Sequence, residues 1–98
     1  MLIVRDFQLF PFARQVTCCG KAVHLSSREF DFLELLMRNP DQVFSRRMIF
    51  EVVWGKDRAP NGNNVDALVS RLRRKLEEAG AYILCTVRVR GVGYALQP

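Results

Sequence analysis

Apolar and polar positions change their period along the chain. Through the first 25 residues the apolar positions fall in short runs broken by proline and glycine. Phe7 to Phe10 closes at Pro11, Gln15 to Cys19 closes at Gly20, and Ala22 to Leu25, which includes His24, follows at once. Closely spaced β-prone runs with such breakers predict a small antiparallel meander. At Ser26 the period becomes helical. Ser26-Ser27-Arg28-Glu29 sets a serine three residues ahead of a glutamate, in front of an apolar run. This is a capping box: the Ser26 hydroxyl accepts the Glu29 backbone N–H, and the carboxylate reaches back to the Ser26 N–H. Phe30, Leu33 and Met37, with Phe32 and Leu36 beside them, give the inner stripe, and Asn39-Pro40 ends the helix.

Ser45 caps a second, shorter helix with Ile49, Val52 and Val53 as its expected inner face and Gly55 just past its end. Trp54 to Gly62 reads as a mostly polar loop broken by Gly55, Pro60 and Gly62. Asn63 or Asn64 caps a third helix, and Asp66 lies in its first turn, where the helix dipole favours a negative charge. Val65, Val69, Leu72 and Leu76 recur at helical spacing, and Ala79-Gly80 stops the helix. Tyr82 to Arg90 then alternates, with Thr86, Arg88 and Arg90 on one face and Val87 and Val89 on the other. Gly91-Val92-Gly93 can turn the chain, and Tyr94 to Leu96 can return as a paired strand. With no linker and no internal repeat, residues 1–98 form one domain. Strands, three helices and a hairpin in that order predict an α+β winged helix-turn-helix.

Composition narrows the function classes. The 98 residues are 49% hydrophobic and 26% charged, the balance of a globular domain and not of a disordered one. No apolar run reaches the roughly 18–20 residues of a membrane span. Arg5 and Asp6 interrupt the apolar start, so it does not read as a signal peptide. An odd count of three cysteines, with Cys18 and Cys19 adjacent, fits a reducing, cytoplasmic compartment. His24 is the only histidine, and there is no C-x-x-C or H-x-x-x-H pair, so no zinc or other cofactor is expected. No phosphate loop is present, and Gly91-Val92-Gly93 leads into a strand where a dinucleotide fingerprint would lead into a helix. No Ser/His/Asp arrangement can be built on that one histidine, and the chain does not read as an enzyme.

Charge points elsewhere. The chain has 15 basic and 10 acidic residues, net +5. Between Ala67 and Arg90 stand six basic residues (Arg71, Arg73, Arg74, Lys75, Arg88, Arg90) and two acidic ones (Glu77, Glu78), a net +4. Stepping about 100° per residue from the inner stripe puts Asn64, Ala67, Arg71, Arg74 and Glu78 on the solvent side. Ser70 and Arg73 fall on one flank, Leu68 and Lys75 on the other. A charge run on a helix is ordinarily a solvated face. Concentration on one helix and one hairpin of a winged unit favours double-stranded DNA. Arg71 suits a guanine edge, Ala67 a thymine methyl, and Arg73, Arg74 and Lys75 the phosphates. Arg90, beside the turn, suits the minor groove. Asp66 reads as a structural residue at the helix start. RNA binding would want exposed strand aromatics, and Phe7 and Phe10 are more simply core. A module that docks proteins through the Trp54 to Gly62 loop is the alternative from another class.

Leu25-Ser26-Ser27-Arg28-Glu29-Phe30, Val53-Trp54-Gly55, Asn64-Val65-Asp66, Ser70-Arg71-Leu72-Arg73-Arg74-Lys75-Leu76 and Val89-Arg90-Gly91-Val92-Gly93-Tyr94 occur in this order. Together they resemble the OmpR/PhoB-type DNA-binding effector domain of two-component response regulators. The resemblance implies a four-stranded N-terminal sheet, three helices and a hairpin wing, with the third helix in the major groove and the wing in the minor groove. It aligns Arg71 with a base-reading arginine, Arg90 with a wing arginine, and Asn63, Asn64, Ser70 and Arg73 with phosphate contacts. It assigns the loop that includes Trp54, Gly55, Lys56, Asp57 and Arg58 to RNA polymerase. It also implies head-to-tail dimers on direct-repeat half-sites and a receiver domain in the same full-length protein, of which this chain would be a fragment, with a free-standing regulator as the alternative. Two positions depart from the family pattern. Leu68 stands where a phosphate-contacting histidine is common, so that contact should be absent, and Arg88 stands where a wing threonine is frequent.

Overall fold

The β-prone runs at the start of the chain pair in sequence order. The computed structural model describes residues 1–4, 6–55, 64–80, 86–89 and 93–96. Strands β1 (Leu2–Val4), β2 (Phe7–Phe10), β3 (Gln15–Cys18) and β4 (Lys21–Val23) form an antiparallel sheet in the order β1-β2-β3-β4. Alternation decides the faces: Phe7, Leu9, Val16 and Cys18 are buried while Gln8 and Gln15 are exposed. The register sets Phe7 opposite Cys18 and Leu9 opposite Val16, so these four side chains share the inner face. β1 is one strand more than the apolar runs alone indicated. β4 is shorter than the run Ala22 to Leu25, which leaves His24 exposed beyond the strand.

Helix α1 (Ser27–Arg38) starts on the expected capping box. The Glu29 N–H donates to Ser26 Oγ at 3.2 Å and the Ser26 N–H to Glu29 Oε1 at 2.8 Å. Asn39 caps its end and donates from its amide to the Leu35 carbonyl at 2.9 Å. Phe30, Phe32, Leu33, Leu36 and Met37 are buried, and α1 packs against both following helices and the first sheet.

A two-residue strand, β5 (Phe44–Ser45), follows and was not foreseen. Ser45 then caps helix α2 (Arg46–Trp54) by accepting the Met48 N–H at 3.1 Å. The inner face of α2 is rotated from the expected one. Ile49 and Phe50 are buried, Val53 is half-buried, and Val52 is exposed. The buried arc is centred between Ile49 and Phe50, from which Val52 lies roughly 110° away at the helical period. Trp54 belongs to the last turn of α2, not to the loop, with its ring stacked on Phe50 at 4.9 Å. Gly55 follows at φ 106°, a conformation open to glycine, as expected at a helix end.

Helix α3 (Asn64–Glu78) stops at Ala79-Gly80, where Gly80 has φ 99°. Strands β6 (Thr86–Val89) and β7 (Gly93–Leu96) pair antiparallel and complete a second sheet in the order β5-β7-β6. β7 is central, and all four of its residues are buried. Gly93 is therefore a strand residue and not part of the turn. It pairs with Ser45, and a Cβ at this position would run into the Phe44 carbonyl. The Gly91-Val92 part of the expected turn, and residues 82–85 and 90 of the expected long strand, lie outside the described residues. Among the described residues no helix is long and apolar enough to cross a membrane.

Candidate nucleic-acid interface

Helix α3 is amphipathic, and its buried stripe determines what it presents. Val65, Val69, Leu72 and Leu76 are buried as the spacing predicts. Leu68, expected on a flank, is also buried at 2% exposure, so the stripe is wider than it looked. Leu68 adjoins Val53 and Trp54 in the groove between the helices. A leucine there is core.

The opposite face is polar and basic. Asn64, Ser70, Arg71 and Arg74 are exposed, and Ala67 and Arg73 are half-buried. Arg71 opens into a groove shared with Ser26, Ser27, Arg28 and Trp54. The Arg28 guanidinium lies over the Trp54 ring, 5.0 Å from its centroid. On the other flank Ser70, Arg73 and Arg74 line a second groove with Asp66 and Tyr94. Asn63, Arg90, Lys56, Asp57 and Arg58 lie outside the described residues. Arg88 has a described backbone position on β6, opposite Tyr94, and nothing is described of its side chain.

Lys75 has a partner on another helix. It was expected to serve phosphates, and its ammonium donates to Glu29 Oε1 at 2.5 Å. Glu29 is 2% exposed and forms the α1 capping box at the same time. Burial pushes its carboxyl pKa up, but the hydrogen bonds from Lys75 and from the Ser26 backbone outweigh that and hold it below the usual glutamate value. Lys75 thus ties the C-terminal half of α3 to the start of α1.

Asp66 ties down the other end. Its Oδ1 accepts from Arg46 Nε at 2.9 Å and from the Tyr94 hydroxyl. The Arg46 guanidinium also lies over the Tyr94 ring at 5.5 Å. One carboxylate in the first turn of α3 therefore joins the first residue of α2 to the central strand of the second sheet. The bond to Asp66 raises the Arg46 pKa further.

Arg28, Arg46 and Tyr94 were not singled out in the sequence as parts of the site. The available signal was a mismatch with the helix dipole. Arg28 stands in the first turn of α1 and Arg46 opens α2, places where a cation is disfavoured unless an anion faces it. For Arg46 that anion is Asp66.

The comparisons with known proteins agree with this architecture. Residues 20–96 match the family model described as transcriptional regulatory protein, C terminal. The response regulator MprA of Mycolicibacterium vanbaalenii is 42% identical over 92 residues, which is 94% of this chain. This chain spans 39% of that relative's length. The DNA-binding domain of the response regulator AdeR, solved in complex with an intercistronic region, superposes with a TM-score of 0.87 at 26% identity, covering 97% of each chain. The Klebsiella pneumoniae RstA DNA-binding domain, solved in complex with the RstA box, gives 0.84 at 30% identity, covering 99% of this chain and 97% of that one.

Proposed function

The chain belongs to the family of transcriptional regulatory protein C-terminal domains, and from that premise we propose that it binds double-stranded DNA sequence-specifically to control transcription. The observation that carries the reading is the exposed face of α3. Asn64, Ala67, Ser70, Arg71 and Arg74 stand on it, opposite a continuous buried stripe. A helix held this way presents small and polar side chains to base edges in a major groove. Arg71 reads a guanine edge. Asn63, Asn64, Ser70, Arg73 and Arg74 hold phosphates, joined by Arg88, and Arg90 enters the neighbouring minor groove.

The same reading extends to the whole regulator. Two copies bind direct-repeat half-sites head to tail, in the cytoplasm. A receiver domain in the same full-length protein switches them. The segment at Gly55, Lys56, Asp57 and Arg58 meets RNA polymerase, with Trp54 as its anchor on Phe50.

Fluorescence anisotropy on a duplex of about 25 base pairs tests the reading. Binding should fall steeply with salt, as expected for roughly 4–8 phosphate contacts. Once a preferred site is selected, Arg71→Ala should weaken it by about 1–3 kcal/mol and relax one base position, with little change on random DNA. Equal loss on both would remove Arg71 from base reading. No binding at about 50 mM salt, where the counterion contribution is strong, would move the reading to a protein-docking module.

A further inference from the structure

The β3–β4 hairpin carries two adjacent thiols that DNA binding does not use. Cys18 is the last residue of β3, and its side chain is fully buried. Alternation along a strand would send the next side chain to the opposite face. Cys19 departs from that rule because its φ of 55° is left-handed, a conformation uncommon for cysteine. The two Sγ atoms come to 3.6 Å, with Cys19 exposed to solvent. The backbone holds this arrangement: the Cys19 N–H donates to the Asp6 carbonyl at 3.1 Å, and Cys18 pairs with Lys21 across the hairpin.

That separation discriminates between chemistries. A disulfide places its sulfurs about 2.05 Å apart and usually needs Cα atoms at least about 4.4 Å apart. Neighbouring Cα atoms across a trans peptide are fixed at about 3.8 Å. A direct bond between these sulfurs is therefore unfavourable, and an atom placed between them removes the conflict. A tetrahedral centre bonded to two thiolates at about 2.3 Å holds them about 3.8 Å apart. A pyramidal arsenic(III), with a narrower angle, holds them slightly closer. Zinc wants four ligands, and among the described residues no group of three or more His, Cys, Asp or Glu side chains could hold a metal. A monosubstituted arsenic(III) wants only two thiols.

We propose that Cys18 and Cys19 form a dithiol site for trivalent organoarsenicals. The oxide RAs=O condenses with both thiols. Two As–S bonds form, the two S–H bonds and the As=O bond break, and both protons leave with the oxygen as one water. Arsenic stays trivalent, so no oxidant or reductant is involved. Exposed Cys19 attacks first, and Cys18, with its sulfur 3.6 Å away, closes the ring. The site does not depend on the DNA-binding reading.

Phenylarsine oxide in the presence of excess glutathione is the probe, and intact-mass spectrometry of the whole chain is the readout. A single phenylarsenic adduct is expected on the wild type and on Cys85→Ser, and ethanedithiol should remove it. Cys19→Ser, at an exposed position, should bind about a hundredfold more weakly, because the second thiol otherwise closes at a high effective concentration. Cys18→Ala should behave likewise, with circular dichroism checking that it folds. An adduct undiminished in Cys19→Ser, an adduct lost in Cys85→Ser, or a two-dalton loss in place of an adduct would each overturn the proposal.

Discussion

Carboxylates fasten both ends of α3, in opposite settings. Near its start, Asp66 has a side chain 40% exposed and accepts from Arg46 and Tyr94. Near its end, Lys75 reaches Glu29, whose side chain is 3% exposed. Water can take over when a partner of Asp66 is removed. At Glu29 the carboxylate itself is out of reach of water, while its two partners, the half-buried Lys75 and the exposed Ser26, stand at the surface. The Glu29 end is thus built for stability. The Asp66 end lies close to Ser70, Arg73 and the central strand of the second sheet.

The largest expected effect tests the buried end. Glu29→Ala should cost about 3 kcal/mol in urea unfolding, because it removes the capping box of α1, the acceptor of Lys75 and the buried methylenes of the side chain. A cost under about 1 kcal/mol would erase the contrast. Acid gives the same end a second readout. The folded Glu29 carboxyl is held below its ordinary value, so its contribution is complete above the unfolded value of about 4.3. It is lost as pH falls from there through the lower folded value. Stability measured from pH 6 downwards should fall less steeply in Glu29→Gln than in the wild type.

Smaller effects belong to the other end. Gly93→Ala should cost about 2 kcal/mol, since the new methyl meets the Phe44 backbone and not a movable side chain. Tyr94→Phe should cost about 1 kcal/mol. It should reduce discrimination between a preferred site and random DNA while leaving salt-dependent binding in place. If discrimination were unchanged, Asp66 would be a structural tie with no part in aiming the helix. Least of all, Arg71→Ala should change unfolding by less than about 0.5 kcal/mol, so any larger loss would mean that its side chain supports the fold.

What the sequence made legible was what lies close together in it. The capping box at Ser26 and Glu29 spans three residues and was found with its partners correct. The Val65 to Leu76 stripe and the stop at Gly80 were found for the same reason. The tie from Lys75 to Glu29 was not legible because that partner stands 46 residues earlier. On the α3 wheel Lys75 was one more cation beside Arg74. Asp66 was recognised as structural, while Arg46, 20 residues before it, and Tyr94, 28 after it, gave no local sign of meeting there. Val52 was placed inside because helical spacing alone cannot tell which side of α2 the rest of the core will meet. Gly93 looked like a turn residue, and only the strand opposite it explains why a side chain is excluded.

β5 is two residues long, yet it sets the order in which the molecule can be completed. Its partner is β7, so residues 44 and 45 meet 94 and 93 across the whole of α2 and α3. The first meander pairs neighbours and can close while it is still being synthesised. The second sheet cannot, because closing so long a loop costs entropy before any contact repays it. A nascent chain that has delivered all three helices still carries Phe44 without its strand. Until Tyr94 has left the ribosome tunnel, the backbone groups of residues 44 and 45 lack their native partner strand.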